Sequence, residues 1–145
     1  MTKPGRIKPP LGHDNEWWWQ QAAEGKLVIQ RCQGCQALRH PPRPMCEQCR
    51  SMEWDFVESS GRGTVNSFTV LHHPKFPGYD YPLTIILVDL EEGTRITSQL
   101  VECEPEAVKF GMAVEMLMHE DEDGFKLPVF KPAQSTTASN QQESQ

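Results

Sequence analysis

Two cysteine pairs carry the clearest chemistry in this chain: Cys32-Gln-Gly-Cys35 and Cys46-Glu-Gln-Cys49, with ten residues between them. A C-x-x-C pair presents two sulfurs from one backbone turn. Two such pairs can close a tetrahedron of thiolates around one zinc ion. Gly34 offers the positive φ such a turn often needs, and Pro41, Pro42 and Pro44 stiffen the connecting loop. Two disulfides or a redox dithiol pair are the alternatives with the same spacing. Four of the five cysteines fall within 18 residues, and in a cytosolic chain that clustering favours metal. Four thiolates leave no open coordination position, so a zinc ion here supplies folding energy rather than Lewis-acid catalysis. Cys103 lies 54 residues beyond Cys49 and reads as a small apolar residue, neither ligand nor nucleophile.

Other reactive residue types lack a setting. His72 and His73 are adjacent on an extended segment, so they point to opposite faces and cannot share a metal. The Gly-Arg-Gly at 61–63 is too short for a phosphate loop and precedes a strand, not a helix. The acidic stretch 120–124 has only a fragment of a calcium loop and reads as a hairpin turn with solvated charge. Ser59 and Ser60 have no nucleophile-elbow context. No nucleophile, base and orienting group come together. A zinc hydrolase needs the open site that four cysteines deny.

Charge is uneven. The net charge is -6, but residues 1–50 carry +4 and the remaining 95 carry -10. Such asymmetry suggests two regions with different partners, although chance imbalance on solvated faces gives the same sums. Hydrophobic residues make up 37% of the chain, enough for a modest core. No apolar run approaches the ~20 residues that span a bilayer, so no membrane partner is expected. The N-terminus lacks the apolar segment of a secretory signal, which makes the cytoplasm the expected compartment.

The elements that must position the cysteines follow from pattern. Residues 1–12 read as an extended arm. Residues 13–27 read as a helix, with Asp14 or Asn15 as cap and Gly25 as stop. Residues 28–58 form the cysteine region, entered by the strand Leu-Val-Ile-Gln-Arg-Cys. From 59 to 132 the chain alternates strands and turns, with strands near 63–73, 83–90, 94–101, 112–119 and 125–130. One helical turn near Pro105 falls between the third and fourth. Five strands with a helix at that point fit an OB-fold, a small Greek-key barrel, better than a five-stranded sandwich fragment. Residues 133–145 have no large apolar side chain and are expected to be disordered. The fold class is therefore mainly β: an N-terminal helix, a rubredoxin-like zinc ribbon and a five-stranded OB barrel.

Trp17, Trp18 and Trp19 are three of only four tryptophans. Three successive helical residues sweep roughly 200°, so one small core is not expected to bury them all. One or two should pin the helix, and at least one should face outward as an anchor for a partner protein.

Taken in order, the aromatic helix, the segment GKLVIQRCQGCQALRHPPRPMCEQC, the barrel entry GRGTVNSFTV, the stretch VDLEEGTRITSQLVECEPEAVKFGMAVEM and the closing FKLPVFKP resemble one family. These are the zinc-ribbon/OB-fold proteins long catalogued as a domain of unknown function and called acyl-CoA-associated. The likeness covers roughly residues 13–132. It implies a non-catalytic accessory subunit in a hetero-oligomer with a thiolase-like enzyme or an acyl-CoA hydratase, as in steroid side-chain breakdown. It also implies a role in holding or channelling a CoA thioester. Cys32, Cys35, Cys46 and Cys49 match the family's ribbon. On that reading Lys26, Arg31, Arg39 and Arg43 become candidates for CoA phosphates, since arginine grips phosphate bidentately; solvent exposure or ordinary ion pairing is the alternative for each. The rival function is a nucleic-acid-binding OB module. The -10 charge of the barrel region opposes it, and its second and third strands offer one arginine and no aromatic. No nucleic-acid partner is therefore expected.

Overall fold

A computed structural model describes residues 5–133; the expectation of a disordered tail lies, from residue 134 onward, outside the described residues. Helix α1 (Glu16–Ala23) is followed by β1 (Val28–Cys32), β2 (Leu38–Arg39), β3 (Trp54–Glu58), β4 (Arg62–Leu71), β5 (Leu83–Leu90), β6 (Arg95–Gln99), a 3-10 turn (Pro105–Ala107), β7 (Ala113–Glu120) and β8 (Lys126–Pro132). The cysteine region is a three-stranded antiparallel sheet in the order β2-β1-β3. The remaining five strands run β6-β5-β4-β7-β8. An isolated bridge between Leu100 and Phe130 brings the two ends of that sheet together, so the barrel is nearly closed. None of the described helices is long and apolar enough to cross a membrane.

The strand limits agree with the pattern to within a few residues, and the single helical turn falls between the third and fourth barrel strands. β4 serves two neighbours. Its start, Arg62–Thr64, pairs with β7, and its whole length pairs with β5, with a register break between Val65 and Ser67. The extra residue, Asn66, bends the strand enough to turn the barrel corner. Gly63 makes the crossing possible: a Cβ there would lie 2.5 Å from the Asp89 carbonyl oxygen and 2.6 Å from Val88 Cγ1. The core joins ribbon and barrel through Leu27, Val28 and Ile29 on one side and Ile86, Val88, Val114 and Phe130 on the other.

Helix α1 is shorter than its predicted span. Asn15 stands at its N-cap but makes no side-chain cap; its amide instead accepts from Gly12 N–H and donates to the Pro10 carbonyl, tying down the arm. Gly25 ends the helix as expected, at φ +86°. The three tryptophans part company around the helix. Trp17 stacks on Phe56 and meets Trp54 of the ribbon. Trp18 is buried in the shared core and donates its indole N–H to the Val28 carbonyl at 2.8 Å. Trp19 meets Phe125 of the barrel. The sweep of the helix thus delivers each ring to a different body. Trp17 and Trp19 are half-buried and none of the three is fully exposed.

The acidic turn 120–124 corrects its sequence reading. It is a hairpin turn, closed by Asp121 N–H to Phe125 O, but its charge is not simply solvated. The Asp121 side chain is 7% exposed and holds Lys8 at 3.0 Å and His119 at 2.8 Å. Lys8 reaches Asp123 as well, so this turn straps the N-terminal arm to the barrel.

Candidate functional site

The four cysteines converge as the spacing predicts. All four sulfurs lie within 4.8 Å of one another, with Cys32 Sγ–Cys49 Sγ at 3.4 Å and Cys35 Sγ–Cys46 Sγ at 3.6 Å. A zinc tetrahedron with Zn–S bonds of about 2.3 Å sets its sulfurs about 3.8 Å apart. The donor set therefore suits one zinc ion, with the sulfurs close to the spacing it requires. The two knuckles repeat each other. In each, the residue after the second cysteine (Gln36, Arg50) has φ +66° and returns its N–H to the carbonyl of the first cysteine, at 2.9 and 3.0 Å. Gly34 donates to Cys32 Sγ and Gln48 to Cys46 Sγ.

These amides favour the thiolate form. The Cys35 N–H leads in lowering Cys32 to about 6, and the Cys49 N–H leads in lowering Cys46. Cys35 gains help from the Ala37 N–H, but burial and the three neighbouring thiols outweigh it and raise Cys35 to about 11. Four crowded sulfurs cannot all ionise unless a cation sits among them. The expected role of Gly34 changes. It does not have a positive φ; it is glycine because a Cβ would sit 3.0 Å from Cys49 Sγ and 3.1 Å from Ser51 Cβ. Cys103 stands apart from the cluster and packs against the core.

The four basic candidates do not form one patch. Lys26 is exposed beside Glu24. Arg31 is held bidentately by Asp55, at 2.8 and 2.6 Å. Arg39 is 5% exposed, so of the four candidates it is the one turned inward. Its Nε donates to Gln30 Oε1 and its Nη2 to the Arg43 carbonyl. Its Nη1 is buried without an acceptor, and among the described residues it pairs with no carboxylate. Gln30 is the hub that sequence reading missed: it sits in an apolar run, yet its Oε1 also accepts from Arg43 N–H at 2.8 Å. Arg39 and Arg43 border a cleft of about 530 Å³ between ribbon and barrel, where Arg95, Glu47 and Asp89 complete the rim. Arg43 pairs with Glu47, and Arg95 with Asp89. Among the described residues, Arg39 is thus a buried positive charge beside the cleft that no carboxylate pairs, the two rim carboxylates being engaged by Arg43 and Arg95.

His40 lines this cleft and also a second, larger cavity. Its ring lies against Trp18, and burial lowers it to about 4, so it is neutral at pH 7. The junction between ribbon and barrel is closed on the other side by the 91–93 turn. Glu92 accepts from Ser59 Oγ and Ser60 N–H, at 2.8 and 2.7 Å. Ser59 and Ser60 are thus fastenings of the linker.

Comparison with known proteins agrees with this architecture. Residues 19–55 match the domain family described as "ChsH2, rubredoxin-like zinc ribbon domain", and residues 56–119 match "ChsH2, C-terminal OB-fold domain". The chain is 44% identical over 128 residues to a "Probable enoyl-CoA hydratase alpha subunit" of Thermomonospora curvata, covering 88% of this chain and 40% of that protein. It is 43% identical over 108 residues to the "3-oxo-4,17-pregnadiene-20-carboxyl-CoA hydratase alpha subunit" of Mycobacterium tuberculosis, covering 74% and 34%. The chain thus spans well under half of either hydratase subunit. A "DUF35 domain-containing scaffold protein" of Pyrococcus furiosus is 34% identical over 137 residues, covering 90% and 94%. Among solved structures, an "Ltp2-ChsH2(DUF35) aldolase" chain superposes with TM-score 0.83 at 43% identity, covering 86% of this chain and 98% of that one.

Proposed function

Since the chain belongs to the DUF35 family of ChsH2-type zinc-ribbon/OB-fold proteins, we propose that it is a non-catalytic accessory subunit of an enzyme acting on CoA thioesters. The partner is a thiolase-like enzyme or an acyl-CoA hydratase, in a cytoplasmic hetero-oligomer. One observation carries the reading: this chain covers 98% of a chain from the structure titled "Ltp2-ChsH2(DUF35) aldolase", at 43% identity. Two hydratase alpha subunits contain the same region, and a relative of similar length is named a scaffold.

On this proposal Cys32, Cys35, Cys46 and Cys49 hold one structural zinc, and the arm 1–12, helix 13–27, ribbon 28–58 and barrel 59–132 read from the sequence act as its functional parts. Trp17 is the tryptophan assigned to the partner. Its stack ends at the surface on Phe56, 39% exposed, and Met52 is 59% exposed on the same ribbon. The CoA phosphates fall to the cleft, where Arg43 and Arg95 stand over the buried charge of Arg39; Lys26 and Arg31 lie outside its rim.

Co-expression tests the proposal. The chain is produced with and without the thiolase-like or hydratase enzyme encoded beside it. Stoichiometric co-purification, with a gain in the partner's solubility or activity, is expected. Absence of both with every neighbouring acyl-CoA enzyme refutes it.

A further inference from the structure

Among the described residues, two buried side-chain polar atoms have no hydrogen-bond partner: Arg39 Nη1 and Thr94 Oγ1. Buried polar groups are nearly always paired, so two orphans call for a reason. Arg39 belongs to the ribbon, and Thr94 precedes β6 in the barrel. Both border the same cleft of about 530 Å³. The remaining Arg39 donors meet neutral oxygens only. Nε donates to Gln30 Oε1 at 3.0 Å and Nη2 to the Arg43 carbonyl at 2.8 Å. Those bonds fix the guanidinium in place but leave its charge uncompensated. A buried charge without a counterion is strongly destabilising.

The side chains around the cleft do not supply the counterion. Glu47 is engaged by Arg43 at 3.5 Å and Asp89 by Arg95, and Asp89 also accepts from Asn66 at 3.0 Å. Thr94 is held by its backbone, since its carbonyl accepts from Leu90 N–H at 2.8 Å. Its hydroxyl is therefore carried by a closed turn and not by a free loop. A water molecule accepts from both donors but brings no charge. A phosphate group is too bulky to reach atoms enclosed this deeply, and stays at the rim with Arg43 and Arg95. A monatomic anion meets both requirements: it carries one negative charge, and it accepts hydrogen bonds from any direction. Charge-assisted bonds of this kind are the strong ones.

We propose that the floor of this cleft binds one small monovalent anion of chloride's size, between Arg39 Nη1 of the ribbon and Thr94 Oγ1 of the barrel, and that the ion staples the two together. The site does not depend on the accessory-subunit reading. Thermal unfolding of the zinc-loaded chain tests it, in sodium chloride from about 1 to 300 mM with sodium gluconate holding the ionic strength constant. With a dissociation constant of about 10 mM, about 300 mM chloride raises the folding constant about thirtyfold, which lifts Tm by about 6 °C. Arg39→Met keeps a long apolar stem and removes the charge, so its Tm should no longer follow chloride. Thr94→Val keeps the shape and removes one donor, and should move the chloride midpoint about tenfold higher. Lys109→Ala, at an exposed cation of the barrel outside the cleft, should respond as the wild type does. Circular dichroism verifies that each variant is folded.

A wild-type Tm that is the same in chloride and in gluconate overturns the proposal. So does a folded Arg39→Met that keeps the wild-type chloride response, since the effect is then one of salt in general. If Arg39→Met does not fold, Thr94→Val decides: a shifted midpoint upholds the site and an unchanged one overturns it. Partner capture run in parallel separates the two claims. A chloride response without capture leaves the anion site standing and removes the accessory-subunit reading; capture without a chloride response does the reverse.

Discussion

Replacing Trp18 by phenylalanine tests whether the helix is fastened as the structure says. The indole is 5% exposed, and its N–H donates to the Val28 carbonyl at 2.8 Å. Phenylalanine keeps an aromatic ring but removes the donor. A buried carbonyl left without a partner costs about 1–3 kcal/mol, and the smaller ring leaves a void worth about 1 kcal/mol more. The sum, about 2–4 kcal/mol, is a large part of the 5–15 kcal/mol of a typical domain. At about 3 °C per kcal/mol for a domain of this size, Tm should fall by about 6–12 °C. Trp17→Phe is the control. The Trp17 indole donates to an exposed carbonyl of Asp14, and its stack on Trp54 and Phe56 survives in a phenylalanine. Its cost should stay under about 1 kcal/mol. Thermal and urea unfolding are followed by circular dichroism at saturating zinc, so that metal loss does not confound the transition. If Trp17→Phe costs as much as Trp18→Phe, the assignment of Trp18 as the buried bolt is wrong.

Three further outcomes are expected. A strong chelator, or Cys46→Ser, should reduce bound zinc from one per chain to none and lower Tm steeply, since a structural site contributes its binding energy to folding; metal analysis beside calorimetry checks this, and full stability without metal contradicts it. His40 titrates near 4 when folded and near 6.5 when unfolded, so its contribution is complete above pH 6.5 and declines as pH falls toward 4. The loss should reach about 1 kcal/mol by pH 5.5, read as a urea midpoint that drops in the wild type and stays flatter in His40→Gln. Gly63→Ala forces a methyl group against the Asp89 carbonyl and should destabilise the chain by about 3 kcal/mol, while substitution at exposed Lys26 should be nearly neutral.

Much of the fold was legible because its signals are local. Two C-x-x-C pairs announce their own geometry, since each knuckle closes within five residues. The barrel strands show as β-branched runs between turn residues, and Gly25 stops the helix for a reason written in its own backbone. Other readings failed where the deciding contact comes from far along the chain. Gly34 is glycine because Cys49 approaches it, and Asp121 is buried because Lys8 returns to it across 113 residues.

The candidate site divides along the same line. The clustering of Cys32, Cys35, Cys46 and Cys49 and the order of helix, ribbon and barrel were determined by sequence, because spacing and periodicity act over a few residues. Tertiary structure alone decided that Arg39 turns inward to Gln30 while Arg43 stays at the surface. It alone sent three neighbouring tryptophans to ribbon, core and barrel, and assembled a cavity from an arm, a helix, four strands and two loops. Such features depend on the packing of segments that are distant in sequence, and no local pattern encodes where those segments meet.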